Sequence, residues 1–201
     1  MPDPLAPRQN RPLLLGSTSV YRRELLSRLR LPFDVVAPEV DETPAPGEEP
    51  ESLARRLALA KAHAVAAKHP DAVVIGSDQV ADLDGKPLGK PGNHANAVAQ
   101  LRQMRGRVVV FQTAVAVVCA ASGFEAVDLA AVEVQFRDLT DGEIEAYLQA
   151  EQPYDCAGSA RSEGLGITLL EAIDNDDPTA LVGLPLIRTC RMLRAAGIEV
   201  L

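Results

Sequence analysis

The chain has 201 residues, 47% hydrophobic and 24% charged, a globular composition long enough to bury a core without disulfide or metal staples. Twenty Lys and Arg against twenty-eight Asp and Glu give a net charge of −8 and a pI near 4.9. That balance opposes non-specific binding of nucleic acid or anionic membrane, yet leaves room for an anionic small molecule at a local cluster of cations.

Residues 1–11 hold prolines and little apolar pattern, and read as a flexible tail ahead of a single domain over 12–201. They lack the basic and apolar regions of a signal peptide, and no apolar run approaches the about 20 residues of a membrane span, so the cytoplasm is the expected location. Leu13-Leu14-Leu15 reads as a buried strand delivering a Gly16-Ser17 loop, followed by a helix from about Ser19 to Arg30 and a strand over Phe33–Ala37. Pro38–Pro50 reads as a loop and the Ala/Leu/Lys-rich Glu51–Lys68 as a helix. Ala72–Gly76 is a second buried strand ending at Gly-Ser, Asp84-Gly85 a hairpin turn, and Asn93 the cap of a helix to Met104. Val108–Ala120 and Phe124–Phe136, separated by Ser122-Gly123, form the clearest hairpin. Thr140 and Glu143 are spaced as a capping box for a helix to about Ala150. A Gly-rich stretch over 158–166 precedes a strand at Ile167–Ile173, and Leu184–Ala196 closes as a helix stopped by Gly197. Helices alternating with strands around a central antiparallel hairpin predict an α/β fold with a mixed sheet.

Chemistry in such folds gathers at strand ends. Gly16-Ser17-Thr18-Ser19 offers hydroxyls, backbone N–H groups and a helix start to an anion, with Arg22 and Arg23 on the first turn. The spacing fits equally a Ser19 that only caps the helix and arginines that face solvent. Asp78, after Gly76-Ser77, is placed to bind a divalent ion or orient a water, or else to form a turn. Lys90 lies on a nearby loop; Lys61 lies within the Ala/Leu helix, where a lysine ordinarily extends to solvent. Asp174-Asn175-Asp176-Asp177 lacks the Gly and Glu of a calcium loop and reads as a turn. The widely spaced Cys119, Cys156 and Cys190 form no disulfide or metal pattern, and His63, His69 and His94 match no zinc motif. Together, arginines, lysines, serines and an acid make a set suited to a polyphosphate with a metal.

These residues carry a resemblance. Ser17-x-Ser19-x-x-Arg22-Arg23, Ala37-Pro38-Glu39-Val40-Asp41-Glu42-Thr43-Pro44, Ile75-Gly76-Ser77-Asp78-Gln79, Gly89-Lys90-Pro91 and Val182-Gly183-Leu184-Pro185-Leu186 resemble, in order, the signature blocks of the Maf family. The resemblance implies a nucleotide pyrophosphatase, cleaving a nucleoside triphosphate to monophosphate and diphosphate. It implies an elongated, twisted mixed sheet flanked by helices, with two lobes around a central cleft. It also implies a divalent cation, Mg²⁺ or Mn²⁺, and a homodimer. Cys156-Ala157-Gly158-Ser159-Ala160-Arg161-Ser162-Glu163-Gly164-Leu165-Gly166-Ile167 resembles the 7-methyl-GTP branch of the family, and base choice would rest on Tyr21, Gln79 and Glu163. N7-methylation makes guanine cationic, which an aromatic face such as Tyr21 attracts, and Glu163 would accept from the N1–H and N2–H₂ edge. The resemblance makes Asp78 the general base or holder of a metal-bound water, with Glu42 beside it at the metal. Ser17, Ser19, Arg22, Lys61 and Lys90 would bind the triphosphate. Val20 stands where the family often has Pro, and Tyr21 where this branch often has Trp. Two other readings are a dTTP/UTP pyrophosphatase of the same family and a nucleotide-binding regulator of cell division.

Overall fold

The apolar run at the start forms β1 (Leu13–Gly16), every residue of which is buried. In the computed structural model, which describes residues 10–201, β1 lies parallel to β2 (Asp34–Val36) on one side and to β3 (Val73–Leu83) on the other. The first nine residues of the expected tail lie outside the described residues. β3 turns back at Asp84-Gly85, both with positive φ as a primed hairpin turn requires, into β4 (Lys86–Leu88). β5 (Val108–Cys119) pairs antiparallel with β3 and with β6 (Phe124–Phe136), and β7 (Leu170–Asp174) adds to the far edge of β6. Among the described residues the resulting mixed sheet has seven strands in the order β2-β1-β3-β5-β6-β7, with β4 off β3. Among the described residues five α-helices flank it: α1 (Val20–Ser27), α2 (Pro50–Ala66), α3 (His94–Met104), α4 (Asp141–Glu151) and α5 (Leu186–Ala195). The α/β class and mixed sheet are as expected. No helix among the described residues is long and apolar enough to cross a membrane.

Local chemistry sets the helix ends. The Ser19 and Asn93 side chains cap α1 and α3, Pro50 occupies the first turn of α2, and Thr140 and Glu143 close a full capping box on α4. Several boundaries differ from the sequence reading, among them the end of α1 at Ser27 in place of about Arg30. β3 does not stop at Gly76 but runs to Leu83, because β5 offers it a continuous antiparallel partner from Val118 to Val110. Asp78 is therefore a mid-strand residue, not a loop residue. The strand expected at Ile167 begins at Leu170, since 165–169 coil into a 3₁₀ turn. The last helix starts at Leu186, after Pro185.

Alternation along β3 divides the core. Val74 and Val80 face α2 and pack with Leu53, Ala54, Leu57, Ala58, Ala62 and Val65. On the opposite face, Ile75 joins a cluster with β1, α1 and α5, while Ala81 joins another with α3, α4 and the far half of the β5–β6 hairpin. Ser77, Gln79 and Thr113 form a polar strip between these two cores, with Gln79 and Thr113 paired in register.

Candidate active site

The site begins where α2 touches the sheet. Gly16 and Gly76 are paired across β1 and β3, directly beneath α2. A Cβ on Gly76 would lie 2.2 Å from the Ala58 carbonyl oxygen and 2.6 Å from the Ala62 nitrogen, so only glycine admits the helix at this depth. Lys61 occupies the buried stripe of α2 with Ala54, Leu57, Ala58 and Val65. Its side chain is 7% exposed, and its Nζ donates to Asp78 Oδ1 at 2.6 Å and pairs with Glu42 Oε1 at 2.7 Å. It does not extend to solvent as helix lysines ordinarily do. Partial burial pushes the Glu42 carboxyl up, but the hydrogen bond and charge of Lys61, with Lys90 and Arg22 near, outweigh it and hold the group below its usual range.

The β1–α1 loop builds the adjoining wall. Ser17 Oγ accepts the Ser19 N–H at 3.1 Å and the Arg22 guanidinium at 3.5 Å, and Ser19 Oγ caps α1 by accepting the Arg22 N–H. Arg22 Nε donates to the Gly183 carbonyl at 2.9 Å, and the buried Ser77 hydroxyl is 3.0 Å from the same oxygen. Gly183, with φ of 122°, thus ties the 182–186 block to both the loop and β3. Arg23 points to solvent. Ser19 caps the helix and also lines the cavity.

Gln79 projects from the polar strip. Its amide nitrogen donates among Thr113 Oγ1, the Ala180 carbonyl and the Leu181 carbonyl at 2.9–3.1 Å, which fixes the amide and leaves Oε1 as the group it can present to a ligand. Tyr21, at the start of α1, has the guanidinium of Arg161 over its ring at 5.2 Å. Glu163 follows on the turn over 160–166. That turn is wrapped on Glu151, whose carboxylate accepts from Arg161 Nη1 at 2.8 Å and the Leu165 N–H at 2.9 Å. A Cβ on Gly166 would meet the Arg161 backbone at 2.4 Å, which explains that glycine, and one on Gly164 would press on the Glu151 carboxylate at 2.6 Å. Burial, with Asp155 and Glu163 nearby, pushes the Cys156 thiol up to about 12, so it is no nucleophile near neutral pH.

Ser17, Ser19, Tyr21, Arg22 and Glu42 line one cavity of about 380 Å³ together with Lys61, Gln79, Lys90 and Glu163. Asp78 stands behind Lys61, 7% exposed. Every residue to which the resemblance assigns a role is therefore at this cavity or one contact from it, whereas Arg23 is not. Sequence reasoning missed the Gly183 carbonyl as a shared acceptor and Arg161 as a bridge. It also passed over a signal for Lys61, a charged residue at a position of α2 that the apolar period reserves for the core.

Among the described residues, no group of three or more His, Cys, Asp or Glu could hold a metal ion by itself. Asp78 and Glu42 do converge on one cationic atom, the Lys61 Nζ. Two carboxylates completed by substrate phosphates suit Mg²⁺ or Mn²⁺, so the donor set fits such an ion.

The family model described as Maf-like protein matches residues 12–196. The chain belongs to the Maf family. Among its relatives, a Polaromonas sp. protein named 7-methyl-GTP pyrophosphatase is 77% identical over 94% of this chain and 86% of its own length. Proteins of the same name from Albidiferax ferrireducens and Burkholderia pseudomallei are 72% and 63% identical, over 95% and 92% of this chain and 96% and 87% of their own lengths. Each match spans more than nine-tenths of this chain.

Proposed function

We propose that this protein is a nucleoside triphosphate pyrophosphatase that hydrolyses 7-methyl-GTP to 7-methyl-GMP and diphosphate. The observation that carries this reading is a single cavity lined both by the cations Arg22, Lys61 and Lys90 and by the pair Tyr21 and Glu163. The relatives' shared name supports the substrate. Arg22, Lys61 and Lys90, with the Ser17 and Ser19 hydroxyls, offset the charge of the triphosphate, as phosphoryl-transfer sites require. Water adds across the anhydride between the α- and β-phosphoryl groups; its proton passes to Asp78, and diphosphate leaves. The Lys61 ammonium lies against Asp78. An arriving phosphate competes for that ammonium and frees the carboxylate to take the proton, which couples substrate binding to the base. A divalent ion held by Asp78 and Glu42 would add charge neutralisation at the phosphates. At the other end, Glu163 and the Gln79 Oε1 accept from the Watson–Crick edge of guanine, while the Tyr21 ring takes the cationic base.

On this reading the enzyme works in the cytoplasm as a homodimer, which light scattering on the purified protein checks. The reaction itself is tested by diphosphate release from 7-methyl-GTP with Mg²⁺ or Mn²⁺, comparing wild type with Asp78→Asn. Turnover lost in the variant while the nucleotide still binds supports the reading. Tight binding without turnover in the wild type would instead favour a nucleotide-binding regulator.

A further inference from the structure

One guanidinium lies between the two groups assigned to the base and belongs to neither wall. Arg161 is set over the Tyr21 ring at 5.2 Å, its Nη1 donates to Glu151 at 2.8 Å, and its Nε is 3.6 Å from Glu163 Oε1. Its backbone is fixed as well: the Arg161 N–H donates to the Tyr147 hydroxyl at 3.1 Å, and Gly166 packs on its main chain. Arg161 does not line the cavity, whereas Tyr21, Ala160 and Glu163 do, so it grips the recognition groups from outside. Its Nε is buried and has no hydrogen-bond partner, an arrangement that costs free energy unless a partner closes on it. The carboxylate expected to read the base is 3.6 Å from that donor. Charge is consistent with this: one guanidinium faces two carboxylates, Glu151 and Glu163, so the cluster keeps a net negative charge for a cationic base.

We propose that Arg161 is the positioning residue of the base-recognition end: it locks the Tyr21 ring to the Glu163 carboxylate across two distant segments, and its Nε closes onto Glu163 when a base is bound. This rests on the reading of the cavity as a nucleotide site. Arg161 does not line the cavity that holds the phosphate-binding cations, so it governs nucleotide affinity and leaves the chemical step alone.

The test is to measure KM and kcat for the preferred nucleotide of a 7-methyl-GTP, GTP, dTTP and UTP panel, and the inhibition constant of inorganic tripolyphosphate, which has no base. Wild type is compared with Arg161→Ala and Arg161→Lys. In Arg161→Ala we expect KM to rise about tenfold, the scale of one lost stacked-cation contact, with kcat within about twofold. The tripolyphosphate constant is expected to stay at its wild-type value. Arg161→Lys should recover part of the loss, because an ammonium still pairs with Glu151 but has no planar fork to set Glu163. An unchanged KM in Arg161→Ala overturns the proposal, as does an equal rise in the tripolyphosphate constant, which would make Arg161 a general support of the fold. Should Arg161→Ala fail to fold, the same two constants in Arg161→Lys decide. A wild type that prefers another nucleotide removes the 7-methyl-GTP reading, yet the ratio of the two constants still judges Arg161. A wild type that turns over nothing refutes both.

Discussion

Replacing Gly76 by Ala adds one carbon at the seam between the sheet and α2. That carbon would lie 2.2 Å from the Ala58 carbonyl oxygen, 2.6 Å from the Ala62 nitrogen and 3.0 Å from the Ala62 Cβ. An ordinary carbon–oxygen contact is longer by about 1 Å, and the obstructing atoms are backbone, so α2 must move off β3 as a unit. Over-packing of this kind costs about 1–3 kcal/mol. The functional cost is larger, because Lys61 immediately precedes Ala62 and holds Asp78 at 2.6 Å. A shift of about 1 Å in such a group lowers the rate on the order of 10²-fold. Diphosphate release and urea denaturation on the same preparation read both effects. Gly123→Ala is the control: its φ is +66 and nothing lies within 4 Å of its Cβ, so backbone strain of about 1 kcal/mol should leave the rate untouched. If Gly76→Ala keeps a wild-type rate and unfolding midpoint, α2 is not seated on Gly76 and the placement of Lys61 is wrong.

Glu163→Gln replaces an acceptor by an amide that must turn a donor or a single acceptor toward the base; losing a charge-assisted hydrogen bond of about 1.5–3 kcal/mol should raise KM for 7-methyl-GTP roughly ten- to a hundredfold, read by initial rates. Lys61→Met removes the cation shared by Asp78 and Glu42. Breaking a buried pair should cost about 3 kcal/mol in denaturant titration and abolish most turnover, whereas an unchanged midpoint would contradict the burial of this pair. Stability also has a pH signature. Backbone and side-chain hydrogen bonds from Thr140, with Arg137, hold Glu143 down from the ordinary 4.5 to about 2. Its contribution is therefore full above pH 4.5 and lost as pH falls toward 2. The melting temperatures of wild type and Glu143→Gln should differ by a constant amount above about pH 5.5 and converge on acidification.

Much of this architecture is legible in the sequence because local chemistry decides it. The Thr140–Glu143 box, the Asn93 cap, the Asp84-Gly85 turn and the long apolar runs of the β5–β6 hairpin all formed as read. Errors arose where tertiary partners overruled local pattern. Ser77-Asp78-Gln79 interrupts the apolar run of β3 and reads as a loop, but β5 accepts the strand, Lys61 takes Asp78, and backbone carbonyls take Ser77 and Gln79. Gly76 reads as the end of its strand for the same reason, although its role is close approach beneath a helix. At the site, the motif residues were visible as types and spacings. Arg161 was not, because its meaning depends on Glu151 and Tyr21, which only the fold brings to it.

The most direct measurement is the ratio of kcat/KM for 7-methyl-GTP to that for GTP, dTTP and UTP with the wild-type protein. If Tyr21, Gln79 and Glu163 read a cationic guanine as argued, 7-methyl-GTP should exceed GTP by about tenfold, the scale of one desolvated cation–π contact, and exceed both pyrimidines by more. A ratio near one, or faster release of diphosphate from dTTP or UTP, would contradict the account.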